Sequence, residues 1–309
     1  MANILFMISV LIPVHNYLIR PLVQSLHKQL TAEEIAFEII CLDDASEKSV
    51  IEKNQGVKSF SEVSYILSKK NNGRAITKEL LCQNAKYPWV LFLDADVELI
   101  NDCYISNYLK QIKSNTVYNF IFGGFAYKKE KPKNDYLLRW KYGEKYEAIS
   151  AKKRNKKPYK VTIAANLLVK KEYYLKLNIN SLGNSYGMDL LLGAVLKENK
   201  KNVLHIDNPV YHLGIEKSID YLKKKEYAAE SLLELYRREK IKKSSNSLLK
   251  TFIVLKTLKF NYILAWLYPV LKAPLKQNLT RGNPNMKLFQ FYRIAYLCSL
   301  DLKVQKPHI

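Results

Sequence analysis

Cysteine is scarce in this chain, with four among 309 residues, at Cys41, Cys82, Cys103 and Cys298. None forms a Cys-x-x-Cys pair or a Cys/His cluster, which excludes a disulfide framework and a structural zinc site and fits a reducing, cytosolic compartment. Long apolar runs are also missing. The longest one in the hydrophobic C-terminal segment, YILAWLYPVL, is ten residues, too short to span a bilayer. No Gly-rich phosphate loop follows the first apolar stretch. PVHNYL stands where a dinucleotide-binding enzyme would carry Gly-x-Gly-x-x-Gly. The N-terminal MANILFMISVLIPVHN lacks a basic region and a small-residue cleavage site, so it reads as a first strand, with a signal sequence as the alternative. There is no internal repeat and no low-complexity linker.

Acid is in short supply as well: 28 Asp and Glu stand against 50 Lys and Arg, a formal charge of +22. The imbalance is local. Residues 1–127 carry 12 basic against 13 acidic side chains and 161–216 carry 6 against 5, so these segments sum to zero. Residues 128–160 (13 against 4) and 217–309 (19 against 6) hold the whole excess. Neutral core segments with basic appendages suit a polyanion, whether nucleic acid, anionic lipid or a phosphorylated substrate; solvated lysine-rich faces are the plainer alternative.

An apolar fraction of 48% over this length supports one large α/β domain with extensions, or two modest ones. ISVLIPV (8–14) reads as a buried strand and LIRPLVQSLHKQL as a helix. FEIICLDDAS (37–46) is a second strand, VSYILS (63–68) a third, NNGR (71–74) a turn, AITKELLCQNAK (75–86) a helix and WVLFL (89–93) a fourth strand. Near-continuous apolar strands alternating with helices predict a mostly parallel, doubly wound sheet flanked by helices. Ligands bind such sheets beyond the carboxyl ends of their strands. Asp43, Asp44, Asp94 and Asp96 all fall just past strand ends, so they are expected on that edge, where a cation or ligand compensates charges that burial alone would penalise. Further on, 160–174 is strand-like, 185–200 reads as loop and helix, 202–214 as strand and turn, and 217–243 as a helix. The segment 248–277, with Trp, Tyr and Lys among Leu, fits a helix lying on an anionic membrane surface or a core-packed helical pair.

An Asp-x-Asp at a strand end has two readings from residue chemistry. It can hold Mg²⁺ or Mn²⁺, hard cations that take one or two carboxylates while phosphates complete the shell; or it can cap a following turn. The order SVLIPVHN, EIICLDDAS, NNGR, WVLFLDADVEL, YGMDLLLG, HIDNPVYH resembles the family 2 glycosyltransferases, which have the GT-A fold, over roughly residues 7–215. The resemblance implies a donor site built from Pro13, His15, Asp43, Asp44, Arg74 and Asp94. In it, Asp43 and Asp44 match the acids that read base or ribose, and Arg74 matches a basic residue of the nucleotide-contacting loop. It implies a metal held by Asp96 and His212, and Asp189 as general base. The chain departs from the family pattern at Ala45, where glycine is usual, after NNGR, and at Met188, where a glutamate commonly precedes the catalytic acid.

The expected organisation is a GT-A catalytic domain over 1–215, divided into a nucleotide-sugar half (1–127) and an acceptor half (128–215), with a basic helical region over 216–309. The expected activity is an inverting, Mg²⁺- or Mn²⁺-dependent glycosyltransferase of bacterial surface-polysaccharide assembly. It would use a nucleotide-sugar donor, a UDP-sugar first, and a glycan or lipid-linked acceptor. It would be cytoplasmic, at the inner membrane face, with anionic lipid rather than nucleic acid as the partner of its basic regions. The alternatives are a sugar-phosphate nucleotidyltransferase and a nucleic-acid-binding protein.

Overall fold

The computed structural model describes residues 7–114, 117–177, 188–239 and 246–304, with backbone alone at 188–191 and 304. The chain divides into two compact units. One comprises Met1–Tyr127, Glu147–Asn184 and Val195–Gly214; the other comprises Lys128–Tyr146, Ser185–Ala194 and Ile215–Ile309. The basic stretch 128–160 is therefore split, its first part grouping with the C-terminal helices.

The first unit is built on strands β1 (Met7–Val14), β2 (Ala36–Asp43), β3 (Val63–Leu67), β4 (Trp89–Leu93), β5 (Val97–Leu99), β6 (Phe120–Phe122), β7 (Phe125–Ala126), β8 (Asn166–Lys170), β9 (Val203–His205) and β10 (Val210–His212). Among the described residues, seven of them form one sheet in the order β3-β2-β1-β4-β8-β6-β9. β1 pairs in parallel with β2 and β4, and β2 with β3. The centre is apolar on both faces: β4 is buried along its whole length, and Ile8, Val10, Leu11 and Ile12 of β1 are fully enclosed, as expected of parallel strands covered on both sides. Helices Arg20–Ala32 and Arg74–Asn84 make the crossovers.

Two features depart from the expected pattern. A short helix, Lys48–Asn54, follows β2; Asn54 is its buried residue, so no apolar periodicity announces it. The strand-like segment 160–174 forms a strand at Asn166–Lys170 and then turns into helix Lys171–Leu175. β8 runs antiparallel to β4, with Asn166 opposite Leu93, so its start lies level with the end of β4.

A second, three-stranded sheet of order β5-β10-β7 stands beyond that edge. Buried polar side chains hold its approaches. Asn166 accepts hydrogen bonds from the Tyr104 and Tyr108 hydroxyls at 2.7 and 2.6 Å and donates to the carbonyls of Gly124 and Asn208. Arg154, within the basic stretch 128–160, is buried. It donates to the carbonyls of Ile149, Phe122, Gly123 and Ile206 and to Nδ1 of His205. Nε2 of His205 donates to the Pro158 carbonyl at 2.8 Å. Burial, followed by the Arg154 charge, pushes the His205 pKa down from 6.5 to about 4, so the ring is neutral, with the proton on Nε2.

The second unit gathers helices Leu137–Tyr146, Ser218–Arg237, Ser247–Thr257, Phe260–Thr280 and Met286–Val304 around a core that includes Tyr221, Leu222, Tyr268, Leu279, Phe289 and Tyr292. Asp301, 1% exposed, is held by Arg237 and Lys256, each at 2.8 Å. Among the described residues no helix is long and apolar enough to cross a membrane.

Candidate active site

The parallel pairing of β1, β2 and β4 brings the ends of all three strands to one edge. Pro13 is half-buried in β1 opposite Leu42, and His15 lies just past the strand, exposed, with Nδ1 at 3.0 Å from the Asp44 carbonyl. Asp43, the last residue of β2, and Asp44, the next, are enclosed by protein. Asp43 is fully buried and accepts from the Ser46 amide at 2.7 Å and the Tyr65 hydroxyl at 2.5 Å. Asp44 accepts from the Asn72 amide, the Asn72 side chain and the Gly73 amide, at 2.8, 3.0 and 2.8 Å. Gly73 has a φ of +81, a conformation open to glycine at little cost, which lets the NNGR turn fold back over Asp44. Ala45, next after the acids, has a φ of +59.

Gly73 also begins helix Arg74–Asn84, whose first turns present Arg74 and Lys78, four residues apart and hence on one face. Both cations meet Asp94. Its carboxylate pairs with the Arg74 guanidinium and lies 3.2 Å from Nζ of Lys78. The Asp94 side chain is 5% exposed and that of Lys78 4%, while that of Arg74 is 53% exposed. Lys78 additionally donates to the Ala164 carbonyl at 2.9 Å. A carboxylate at the end of an apolar strand is thus compensated from the neighbouring helix, as its desolvation demands.

Asp96 has different company. It precedes β5, which pairs antiparallel with β10 in a register that sets His212 opposite Val97. The Leu213 amide continues the ladder by donating to the Asp96 carbonyl at 2.8 Å. The result is an Asp96 Oδ2 to His212 Nε2 separation of 3.6 Å. The His212 ring is flanked by Phe125 and Tyr127, with centroids at 4.8 and 5.9 Å. Gly214 completes the site by having no side chain, since a Cβ there would run into the Asp96 carboxylate. Asp189 falls in the first turn of helix Met188–Glu198, but its side chain lies outside the described residues.

A carboxylate and an imidazole converging at this distance are a chemically suitable partial donor set for Mn²⁺ or Mg²⁺, whose remaining positions take water and phosphate oxygens. Among the described residues no group of three or more His, Cys, Asp or Glu stands together as a metal cage.

Residues 9–176, just over half of the chain, match the family described as Glycosyl transferase family 2. The chain belongs to glycosyltransferase family 2. The matched span runs from β1 through helix Lys171–Leu175, so it includes Asp43, Asp44, Arg74, Asp94 and Asp96, and ends before Asp189 and His212. This family 2 chain is 32% identical over 130 residues to an uncharacterized glycosyltransferase of Rickettsia felis, covering 42% of the chain and 21% of the relative. It is 30% identical over 123 residues to another from Haemophilus influenzae, covering 38% of each. The matches thus span well under half the length of these relatives. Among solved structures it resembles a mannosyltransferase from Pyrobaculum calidifontis in complex with GDP-Man and Mn²⁺. That likeness has a TM-score of 0.55 at 13% identity and covers 96% of this chain and 86% of that one. It also resembles mannosyl-3-phosphoglycerate synthase from Rubrobacter xylanophilus (TM-score 0.53, 12% identity, 76% and 75% covered). At such identities the likeness is one of fold, and the fold is GT-A.

Sequence reading missed Lys78 and Gly214. Lys78 carries a signal in retrospect: a lysine four residues after Arg74 on a helix that opens beside the strand-end acids. Nothing in the local sequence marks Gly214, whose role depends on strand pairing across more than a hundred residues.

Proposed function

We propose that the chain is an inverting, divalent-metal-dependent glycosyltransferase. It would move a sugar from a nucleotide diphosphate, a UDP-sugar first, to a glycan or lipid-linked acceptor in bacterial surface-polysaccharide assembly. The observation that carries this is the unequal treatment of the two acids of Asp94-Ala95-Asp96. Asp94 is neutralised by Arg74 and Lys78, whereas Asp96 faces His212 across 3.6 Å. Family membership and the GT-A fold support the reaction class; the fold relative's GDP-Man and Mn²⁺ support a nucleotide sugar and a cation.

Asp96 and His212 would hold the cation, which when bound supplies a Lewis acid beside the diphosphate. Arg74, half exposed on the same side as Asp94, offers a guanidinium to the same charge. Pro13, His15, Asp43 and Asp44 bound the base and ribose pocket; with its carboxylate oxygens engaged by Ser46 and Tyr65, Asp43 acts by fixing the loop that shapes it. Asp189 is the proposed base that takes the acceptor hydroxyl proton on the face of the sugar opposite the leaving group, which inverts the anomeric centre. The placement is cytoplasmic and peripheral on the inner face of the membrane.

Isothermal calorimetry with UDP and GDP in Mn²⁺ tests this. Asp96→Asn or His212→Ala is expected to weaken Mn²⁺-dependent nucleotide binding by about tenfold or more, at least ~1.4 kcal/mol. Asp189→Asn should spare binding and abolish transfer. No affinity for either nucleotide, or affinity indifferent to Asp96, would overturn the reading.

A further inference from the structure

The C-terminal unit leaves a large apolar face uncovered. Helices Ser247–Thr257 and Phe260–Thr280 meet in a sharp turn at Leu258-Lys259, where Lys259 has a φ of +62. Around that turn Leu258, Phe260, Tyr262, Ile263, Trp266 and Val270 are each between 51% and 74% exposed. Tyr262, Ile263, Trp266 and Val270 recur at helical spacing on one side of the second helix, while Ala265, Tyr268 and Leu275 on the other side are buried in the unit's core. Scattered exposed apolar residues need no explanation; a contiguous face with Trp, Tyr and Phe in it does.

Its electrostatic setting is one-sided. Residues 240–300 contain eleven Lys and Arg and no Asp or Glu. The acid that follows, Asp301, is buried and already paired with Arg237 and Lys256, an arrangement that ties helix Ser247–Thr257 to helix Met286–Val304. The turn therefore presents apolar and aromatic side chains with Lys250, Lys259 and Lys272 exposed near them. No helix among the described residues can cross a bilayer, and Pro269 and Pro274 interrupt the hydrogen-bond ladder of this one.

We propose that this helical turn is a docking surface for an anionic lipid bilayer, with Trp266, Ile263 and their neighbours entering the interface and the lysines lying among the headgroups. The inference deepens the peripheral placement proposed above and names the surface responsible. It requires no catalysis, so the two readings fail separately.

The chain carries its own reporter, because Trp89 and Trp140 are buried and Trp266 is 74% exposed. Full-length protein mixed with phosphatidylcholine vesicles containing phosphatidylserine is expected to co-sediment, to show a blue shift of tryptophan emission, and to lose both effects at high salt or with pure phosphatidylcholine. The double variant Ile263→Glu, Trp266→Glu, at exposed positions where folding is not at stake, should bind such vesicles about tenfold more weakly or worse. It should keep its circular dichroism and its affinity for UDP and Mn²⁺ measured without lipid. Absence of binding to anionic vesicles overturns the proposal. Undiminished binding by the double variant overturns it while leaving peripheral attachment through other basic residues standing. A solution dimer that the double variant dissolves, with no lipid binding, would make the face a contact between copies.

Discussion

Replacing Lys78 by Met keeps the aliphatic stem and deletes the ammonium, leaving Arg74 as the one cation paired with buried Asp94 among the described residues. At 3.2 Å and an effective dielectric near 20 the Lys78–Asp94 attraction is about 5 kcal/mol before desolvation is charged against it. Arg74, with 53% of its side chain exposed, is screened by water and contributes about 0–1 kcal/mol. Lys78 is thus the partner that matters for stability. Breaking a buried pair on one side costs about 3–5 kcal/mol; with Arg74 still present, Lys78→Met is expected to cost about 3 kcal/mol. Part of that is the Ala164 carbonyl losing its donor. Urea unfolding at neutral pH, followed by circular dichroism, reads the value. Arg74→Met should cost under about 1 kcal/mol. In the double variant Lys78→Met, Asp94→Asn the stranded charge is gone, so the loss should be smaller than the sum of the single losses by about 1.5 kcal/mol or more. A Lys78→Met loss below about 1 kcal/mol, or strict additivity, would refute the claim that Lys78 compensates Asp94.

Acid sensitivity should trace to His205. Its folded pKa of about 4 lies below the ordinary 6.5. The neutral ring therefore contributes stability that is complete above pH 6.5 and lost as pH falls through 4, about 3 kcal/mol in all. Between those pH values the stability of His205→Gln should fall less steeply than that of the native chain, as measured by urea midpoints; parallel curves would exclude His205 as the cause. Ala45→Gly relieves a left-handed alanine at φ +59 and is expected to stabilise by about 1 kcal/mol. An unchanged or lowered midpoint would show that the loop accommodates alanine without strain.

The central sheet was readable because its strands are buried on both faces, so ISVLIPV, EIICL and WVLFL are apolar without alternation and end abruptly in polar residues. Parallel order then forces Asp44 and Asp94 to the same edge. Helix Lys48–Asn54 was not readable, because it buries too little to leave a period. The pairing of Asp96 with His212 depends on the antiparallel register of β5 and β10, which no local pattern encodes. Lys78 and Arg154 look like any surface cations, since a lysine- and arginine-rich sequence does not distinguish a buried guanidinium that organises carbonyls from a solvated one. Their burial is a property of the loops that close over them.

Asp94 directly follows a strand of the seven-stranded sheet and Asp96 precedes a strand of the three-stranded one. Two carboxylates separated by a single alanine are therefore anchored in different scaffolds, and the peptide between them is a joint. A substitution that shifts β10 is expected to carry His212 and, through the Leu213–Asp96 hydrogen bond, Asp96, while Asp94 is held by Arg74 and Lys78. Descendants of such a chain could change the Asp96–His212 spacing without disturbing the Arg74, Lys78 and Asp94 cluster.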